Sequence, residues 1–308
     1  MYKKNTPKSP RDSLHRQGYN FISDEATAAI KPCLWCKRAL RGGEQCYKHQ
    51  FYGIESWRCV QMTPTLRCNQ RCLFCWRSME YEPEDFVTLT PDEIIASISA
   101  LQSKGLSGDK PYSEKERWLT AVNNPTQFAV SLSGEPTLYP YLDELVEKLK
   151  TRGSVFVVSN GTVPKMIEKI HPTQLYLSLD AVDCSSYETL CRPAGDAEIM
   201  WSSVIKSLSL LKTKEDEGSR TAVRITLVKG YNDKFAEGFA KLIAEAEPMF
   251  VEIKGYMYLG FSRRRLSGEA VPDMAFIREF AKLVAEKCGY DVFDENSPSR
   301  VVCLRRRE

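Results

Sequence analysis

The chain has 308 residues, 43% of them hydrophobic, and a formal net charge of +3. That length and apolar content allow one large α/β barrel or two smaller domains and argue against disorder. The charge is too weak to point to nucleic acid unless local clusters do so. No apolar run approaches the roughly 18–20 residues of a membrane span. Met1-Tyr2-Lys3-Lys4 leads into polar sequence with no hydrophobic signal region, so a cytoplasmic protein with no membrane partner is expected.

The first thirty residues carry few periodic apolar positions and are expected to wrap an exterior surface. Residues 33–59 are dense in Cys, Trp, Tyr, Lys and Arg. We treat residues 1–59 as an N-terminal extension and 60–308 as the main body, the two forming one compact unit. Residues 60–66 read as a strand ending at a cysteine-rich loop. Thr90-Pro91-Asp92-Glu93 opens a helix with a threonine cap, a first-turn proline and acidic residues, followed by Ile94, Ile95, Ile98 and Leu101. Residues 105–124 are polar and read as an insertion or a short extra helix. Further strands are expected at 127–132, 155–158, 175–179, 222–227 and 250–253. Amphipathic helical patterns occur at 141–150, 204–211, 235–246 and 276–287, and 290–293 with 301–304 suggest a terminal strand pair. Short apolar β-branched runs alternating with helices mean βα units and a parallel sheet. A barrel or partial barrel and a doubly wound open sheet both fit; in either, a site gathers at the strand ends.

Seven of the eleven cysteines crowd between Cys33 and Cys75, which in a cytosolic enzyme reads as metal binding rather than disulfides. Cys68, Cys72 and Cys75 form C-x3-C-x2-C. Thiolates suit zinc and iron–sulfur centres, and three ligands in a tight loop leave one metal position open. A chance cluster, or zinc with a distant fourth ligand, is the bland alternative. Upstream, Cys33, Cys46 and Cys59 repeat as C-x12-C-x12-C, interrupted by Cys36. A C-x2-C zinc knuckle built from Cys33, Cys36, Cys46 and Cys59 competes with any reading of three. Cys184, Cys191, Cys288 and Cys303 are scattered and suit small core or surface positions.

Polar motifs stand at the strand ends. Ser133-Gly134-Glu135-Pro136 combines a glycine that admits close backbone approach, a proline that stiffens the turn and a carboxylate that can balance an ammonium. Ser159-Asn160-Gly161 and Ser178-Leu179-Asp180 offer short polar side chains, equally suited to turns and caps. Arg224 and Thr226 alternate with apolar residues; an inward arginine needs an anion, whether a ligand carboxylate or a structural ion pair.

The C-x3-C-x2-C loop with an aromatic before its last cysteine, together with Gly134-Glu135-Pro136, resembles the radical S-adenosylmethionine (SAM) enzymes. The resemblance implies a six-stranded partial TIM-type barrel and a 4Fe–4S cluster on Cys68, Cys72 and Cys75 whose open iron chelates SAM. It also places Ser133, Gly134, Glu135, Pro136, Ser159, Asn160, Ser178, Asp180 and Arg224 around that cofactor. With Cys33, Cys46 and Cys59 added, and text such as Cys46-Tyr47-Lys48 and Phe51-Tyr52-Gly53-Ile54-Glu55, residues 33–265 resemble the tRNA wyosine-base enzymes, the 4-demethylwyosine synthases. That family implies a second 4Fe–4S cluster on Cys33, Cys46 and Cys59, pyruvate as two-carbon donor, and Lys48 as the amine forming a Schiff base with it. The substrate implied is N1-methylguanosine beside the anticodon of phenylalanine tRNA, with an electron donor as further partner and a carbon–carbon lyase class; a monomer is expected. A radical SAM activase acting on a protein partner and a zinc-stabilised RNA-binding module are the other two readings.

Chemistry on a base requires its extrusion, a positive surface and aromatics for stacking. Candidate contacts are Lys37, Arg38 and Arg41 near Trp35, the triplets Arg263-Arg264-Arg265 and Arg305-Arg306-Arg307, and Lys254 with Tyr256 nearer the expected site.

Overall fold

Strands that are apolar at nearly every position must be covered on both faces. The computed structural model, which describes residues 10–77, 79 and 87–307, covers them so. Its strands are β1 (Asn20–Phe21), β2 (Ala29–Ile30), β3 (Cys59–Thr63), β4 (Gln127–Val130), β5 (Ser154–Ser159), β6 (Gln174–Ser178), β7 (Arg220–Leu227), β8 (Phe250–Gly255), β9 (Tyr290–Asn296) and β10 (Val301–Arg306). They form one sheet in the order β1-β2-β3-β4-β5-β6-β7-β8-β10-β9. β3 to β8 run parallel, and antiparallel strands continue both edges. β3 and β8 do not meet, so the six expected parallel strands make an open, partial barrel.

Successive residues on each strand point to opposite faces. Val60, Met62, Val155, Val157, Val251 and Ile253 join the core beneath the outer helices, which include Pro91–Leu106, Leu142–Lys150, Ala236–Ala246 and Met274–Cys288. The alternate residues Phe156, Val158, Tyr176, Ala222 and Phe250 face inward, where Tyr47 and Phe51 of the short helix Tyr47–Tyr52 pack on them. The helix at Pro91 starts as expected: Thr90 Oγ1 accepts the Glu93 N–H, and the Glu93 carboxylate accepts the Thr90 N–H at 2.7 Å. Residues 105–124 resolve into a 3-10 turn, Ser107–Tyr112, and the helix Lys115–Asn123.

One expectation is overturned. Within the described part of the first thirty residues, Tyr19, Phe21, Ala26 and Ala28 to Ile30 are buried, and β1 and β2 extend the sheet at β3. Strands of two residues carry no readable period, so nothing local marks them. Met1-Tyr2-Lys3-Lys4 lies outside the described residues.

Leu145, fully buried between helix and sheet, tests this packing. Leu145→Ala should cost about 3 kcal/mol and lower the thermal midpoint by several degrees in circular dichroism; an unchanged melt would mean that this helix does not lean on the core.

Candidate cofactor and substrate site

The loop carrying Cys68, Cys72 and Cys75 follows β3 with no regular structure of its own, so its backbone must be held by others. Arg77 donates to the carbonyls of Leu66 (3.1 Å) and Gln70 (3.0 Å). Arg265 donates to those of Leu73 (3.1 Å) and Cys75. Arg71 N–H meets the carbonyl of Arg192 at 2.9 Å, and Leu73 N–H that of Leu190 at 2.9 Å. Side chains complete the brace: Gln70 donates to the Tyr187 hydroxyl (2.7 Å), Asn160 to Asn69 (2.9 Å) and Asn69 to Thr162 (2.8 Å). The charge of Arg77 lies within electrostatic reach of all three thiols. Burial pushes the Cys68 thiol up to about 12, with Arg77 opposing.

The Ser133–Pro136 turn packs directly on this loop. Gly134 has φ +75°, and a Cβ there would overlap the carbonyls of Thr65 and Arg67, so both conformation and space demand glycine. Glu135 N–H donates to the Arg67 carbonyl at 2.7 Å. The Glu135 side chain, 2% exposed, accepts from Thr137 N–H (3.0 Å), Thr137 Oγ1 (2.6 Å), Ser159 Oγ (2.7 Å) and Asn160 N–H (2.7 Å). Burial raises its pKa, which those donors oppose. In this structure the carboxylate therefore ties the ends of β4 and β5 together. Ser178 ends β6, and Asp180 just beyond accepts the Thr226 N–H at 2.6 Å; burial raises Asp180 to about 6. The Tyr19 hydroxyl is buried beside Ser133 and near Cys75, yet makes no well-formed hydrogen bond.

The second thiol set gathers at the other end of β3. Cys59 begins that strand, Cys33 caps the helix Leu34–Leu40, and Cys46 caps the helix Tyr47–Tyr52. Cys59 lies within electrostatic reach of Cys33, Cys46 and Lys48, and burial raises the Cys59 and Cys33 thiols. Lys48 lies over the rings of Tyr176 (4.6 Å) and Phe156 (5.0 Å), on the inward face. Burial lowers its pKa, with Glu252 opposing and Arg224 assisting. Glu252, 0% exposed, accepts from the hydroxyls of Tyr52 (2.7 Å), Tyr176 (3.0 Å) and Tyr47 (3.1 Å). Lys254 donates to the Ser299 carbonyl at 2.6 Å, and burial with Arg224 nearby lowers it to about 8.

The two sets are linked through the interior. Cys72 is within electrostatic reach of Asp180, Asp180 of Arg224, and Arg224 of Lys48, which in turn neighbours Cys46 and Cys59. Cys36 lies beside the second set, its N–H donating to the Cys33 sulfur (3.3 Å) and its own sulfur facing the carbonyls of Cys59 (3.5 Å) and Trp57 (3.9 Å), but it is fully buried in an apolar cluster with Leu40, Leu106 and Trp118. Among the described residues no three His, Cys, Asp or Glu side chains are placed to hold a single metal ion. Cys191 is a buried core residue, as expected, and its thiol lies against that of Cys72.

Most candidate RNA contacts are occupied by protein. Lys37 and Arg41 pair with the buried carboxylate of Asp109, and Arg38 with Glu44 while lying over Trp35. Arg306 pairs with Glu215, Arg307 with Asp291, and Arg265 is committed to the cysteine loop. Tyr256 is buried, with its hydroxyl on Ser262. Arg263, on the Tyr258 carbonyl (3.2 Å), and Arg264, over the Phe261 ring (4.8 Å), are exposed on a turn whose Phe261 N–H holds the Trp76 carbonyl at 2.9 Å, beside exposed Met257, Tyr258 and Leu259. Sequence reasoning missed Glu252 and its tyrosines, although an acid inside the apolar run Phe250-Val251-Glu252-Ile253 is a usable signal.

Comparison with known proteins yields two family matches: residues 62–243 match the radical SAM superfamily, and residues 245–306 match a family described as wyosine base formation. The chain is 42% identical to the S-adenosyl-L-methionine-dependent tRNA 4-demethylwyosine synthase of Pyrococcus horikoshii, over 98% of this chain and 90% of that one. It is 37% identical to the Methanocaldococcus jannaschii protein of the same name, over 95% and 94%. Two solved structures superimpose on 98% of this chain and 96% of theirs: one of TYW1 with a lysine–pyruvate adduct bound (TM-score 0.85, 37% identity) and one of archaeal TYW1 (TM-score 0.79, 33% identity).

Two substitutions check the braces. Gly134→Ala should destabilise the protein by more than about 1 kcal/mol, read as a lower thermal midpoint. Tyr52→Phe removes one donor from a buried carboxylate and should cost about 1–3 kcal/mol in urea denaturation; a neutral result would mean that Glu252 does not depend on that hydroxyl.

Proposed function

The chain belongs to the tRNA 4-demethylwyosine synthases of the radical SAM superfamily, and from that premise we propose that it builds 4-demethylwyosine on N1-methylguanosine beside the anticodon of phenylalanine tRNA, with pyruvate as two-carbon donor. The observation that carries this reading is the burial of Lys48 on the inward face, over the rings of Phe156 and Tyr176 and beside Cys46 and Cys59.

The residues fit the groups that the reading requires. Each set offers three buried or half-buried thiols, one short of a closed site. Arg77 supplies positive charge beside the first set, and the unpartnered Tyr19 hydroxyl is a donor awaiting a polar group next to Cys75. Cys68, Cys72 and Cys75 would hold one 4Fe–4S cluster, and Cys33, Cys46 and Cys59 a second. Ser133, Gly134, Glu135, Pro136, Ser159, Asn160, Ser178 and Asp180 would surround SAM, with Arg224 facing the same interior from β7. When bound, these groups supply the one-electron chemistry that the side chains cannot.

The chain's own part is to hold and aim. The Lys48 amine adds to the keto carbon of pyruvate; a C=N bond forms and the carbonyl oxygen leaves as water. The rings of Phe156 and Tyr176 keep water from that amine. Arg263 and Arg264, next to the turn that clasps Trp76, are the cations we assign to tRNA phosphate, with Tyr258 exposed for stacking. The same reading makes the protein a cytoplasmic, monomeric carbon–carbon lyase served by an electron donor, with 1–59 and 60–308 working as one unit. A relative solved with a lysine–pyruvate adduct supports Lys48, and the wyosine match disfavours the activase reading.

Lys48→Ala should retain SAM cleavage yet form no pyruvate-derived nucleoside, scored by mass analysis after anaerobic incubation with methylated tRNA, SAM and pyruvate. Normal product from that variant would remove the Schiff base from the mechanism. Cys46→Ala should lower iron from about eight to about four per chain, with SAM cleavage retained; an unchanged iron count would dispose of the second cluster.

A further inference from the structure

The inward face of β7 and β8 gathers three basic side chains around one buried carboxylate, Glu252, with Asp180 beyond it. Arg224 stands in one row with Ser178 on β6 and Glu252 on β8. Lys254 lies two residues further along β8, opposite Thr226, and Lys48 arrives from the facing helix. The three cations are within electrostatic reach of one another. The anion among them, Glu252, is occupied by three tyrosine hydroxyls. Among the described residues Arg224 forms no hydrogen bond or ion pair through its guanidinium. Asp180, the next acid, is within electrostatic reach of Arg224 but spends its hydrogen bond on the Thr226 N–H.

A guanidinium presents five N–H donors and does not lose its charge. Left half-buried without an acceptor it is costly, and the partner that fits its planar fork is a carboxylate. Two carboxylates are candidates, those of the keto acid and of SAM. The turns assigned to SAM close β4 and β5, whereas Arg224 lies three residues inside the end of β7, on the side of Lys48 and Lys254. Imine formation at Lys48 expels the keto oxygen as water, transfers no electron and leaves the acid's carboxylate intact, still needing a counter-cation.

We propose that Arg224, backed by Lys254, binds the carboxylate of a 2-keto acid attached at Lys48 and so makes the amine selective for keto acids over uncharged ketones. The proposal rests on the reading of Lys48 as the pyruvate amine.

The test uses the full-length reconstituted enzyme, anaerobic, with cyanoborohydride and either pyruvate or acetone, and reads the adduct at Lys48 by peptide mass. SAM affinity is measured in parallel by equilibrium binding. Wild type should trap pyruvate in preference to acetone. Arg224→Leu should need at least about tenfold more pyruvate for half-trapping, trap acetone as before, and keep its SAM affinity within twofold. Arg224→Lys, which keeps the charge, should recover part of the preference, and Lys254→Met should lose part of it. Equal pyruvate preference in Arg224→Leu and wild type overturns the proposal, as does weakened SAM binding with trapping intact, which would give the arginine to the methionine carboxylate. Absence of any adduct in wild type would instead sink the reading of Lys48 itself.

Discussion

A carboxylate with no exposure to water must find its partners inside the protein, and Glu252 finds three phenols. Two of them, Tyr47 and Tyr52, belong to the six-residue helix that lies against the inward face of the sheet. A helix that short has little stability of its own. Its place is fixed by those hydroxyls and by the rings of Tyr47 and Phe51. Cys46, which caps the helix, and Lys48, in its first turn, are aimed by the same anchorage. The placement of Cys46 and Lys48 thus depends on a glutamate that hydrogen-bonds to neither of them.

The cysteine loop follows the same logic with backbone in place of side chain. Arg77 and Arg265 spend their donors on loop carbonyls, and Asn69, Gln70 and Asn160 stitch the loop to neighbouring strand ends. Arg77 also places positive charge beside the Cys68 thiol, opposing the upward push of burial. Gly134 lets a second backbone run alongside the loop at a separation no side chain permits. The arginine in Arg263-Arg264-Arg265 that looked like part of a nucleic-acid patch is therefore divided in role from its neighbours: Arg265 faces the loop and Arg263 and Arg264 face out.

The parts of this architecture that the sequence exposed are those with periodicity or fixed spacing. The six parallel strands and the capped helix at Pro91 were legible because short apolar β-branched runs and cap residues are local signals, and thiol spacing marked both cysteine triads as candidates. β1 and β2 were not, since pairing two residues onto β3 is decided by tertiary contact. Nor could sequence show that Lys37 and Arg41 meet Asp109, sixty-eight residues beyond Arg41, or that Glu252 gathers hydroxyls from positions 47, 52 and 176. Those pairings depend on the closure of the sheet around an inward helix. Cys36 shows the limit of spacing: it lies near Cys33 and Cys59 yet is buried in an apolar cluster with Leu40, Leu106 and Trp118, an environment that no cysteine count reveals.

β3 is only five residues long, yet Cys59 is its first residue and Cys68 opens the loop beyond its last. At about 3.3 Å per residue the strand spans roughly 13 Å, and it is hydrogen-bonded on both sides by β2 and β4. It is in effect a ruler: a stiff peptide of set length that keeps the two sulfur-rich ends from drifting toward or away from each other. Lengthening it by two residues would preserve every cysteine and every fold-defining apolar position while moving the two thiol sets out of step.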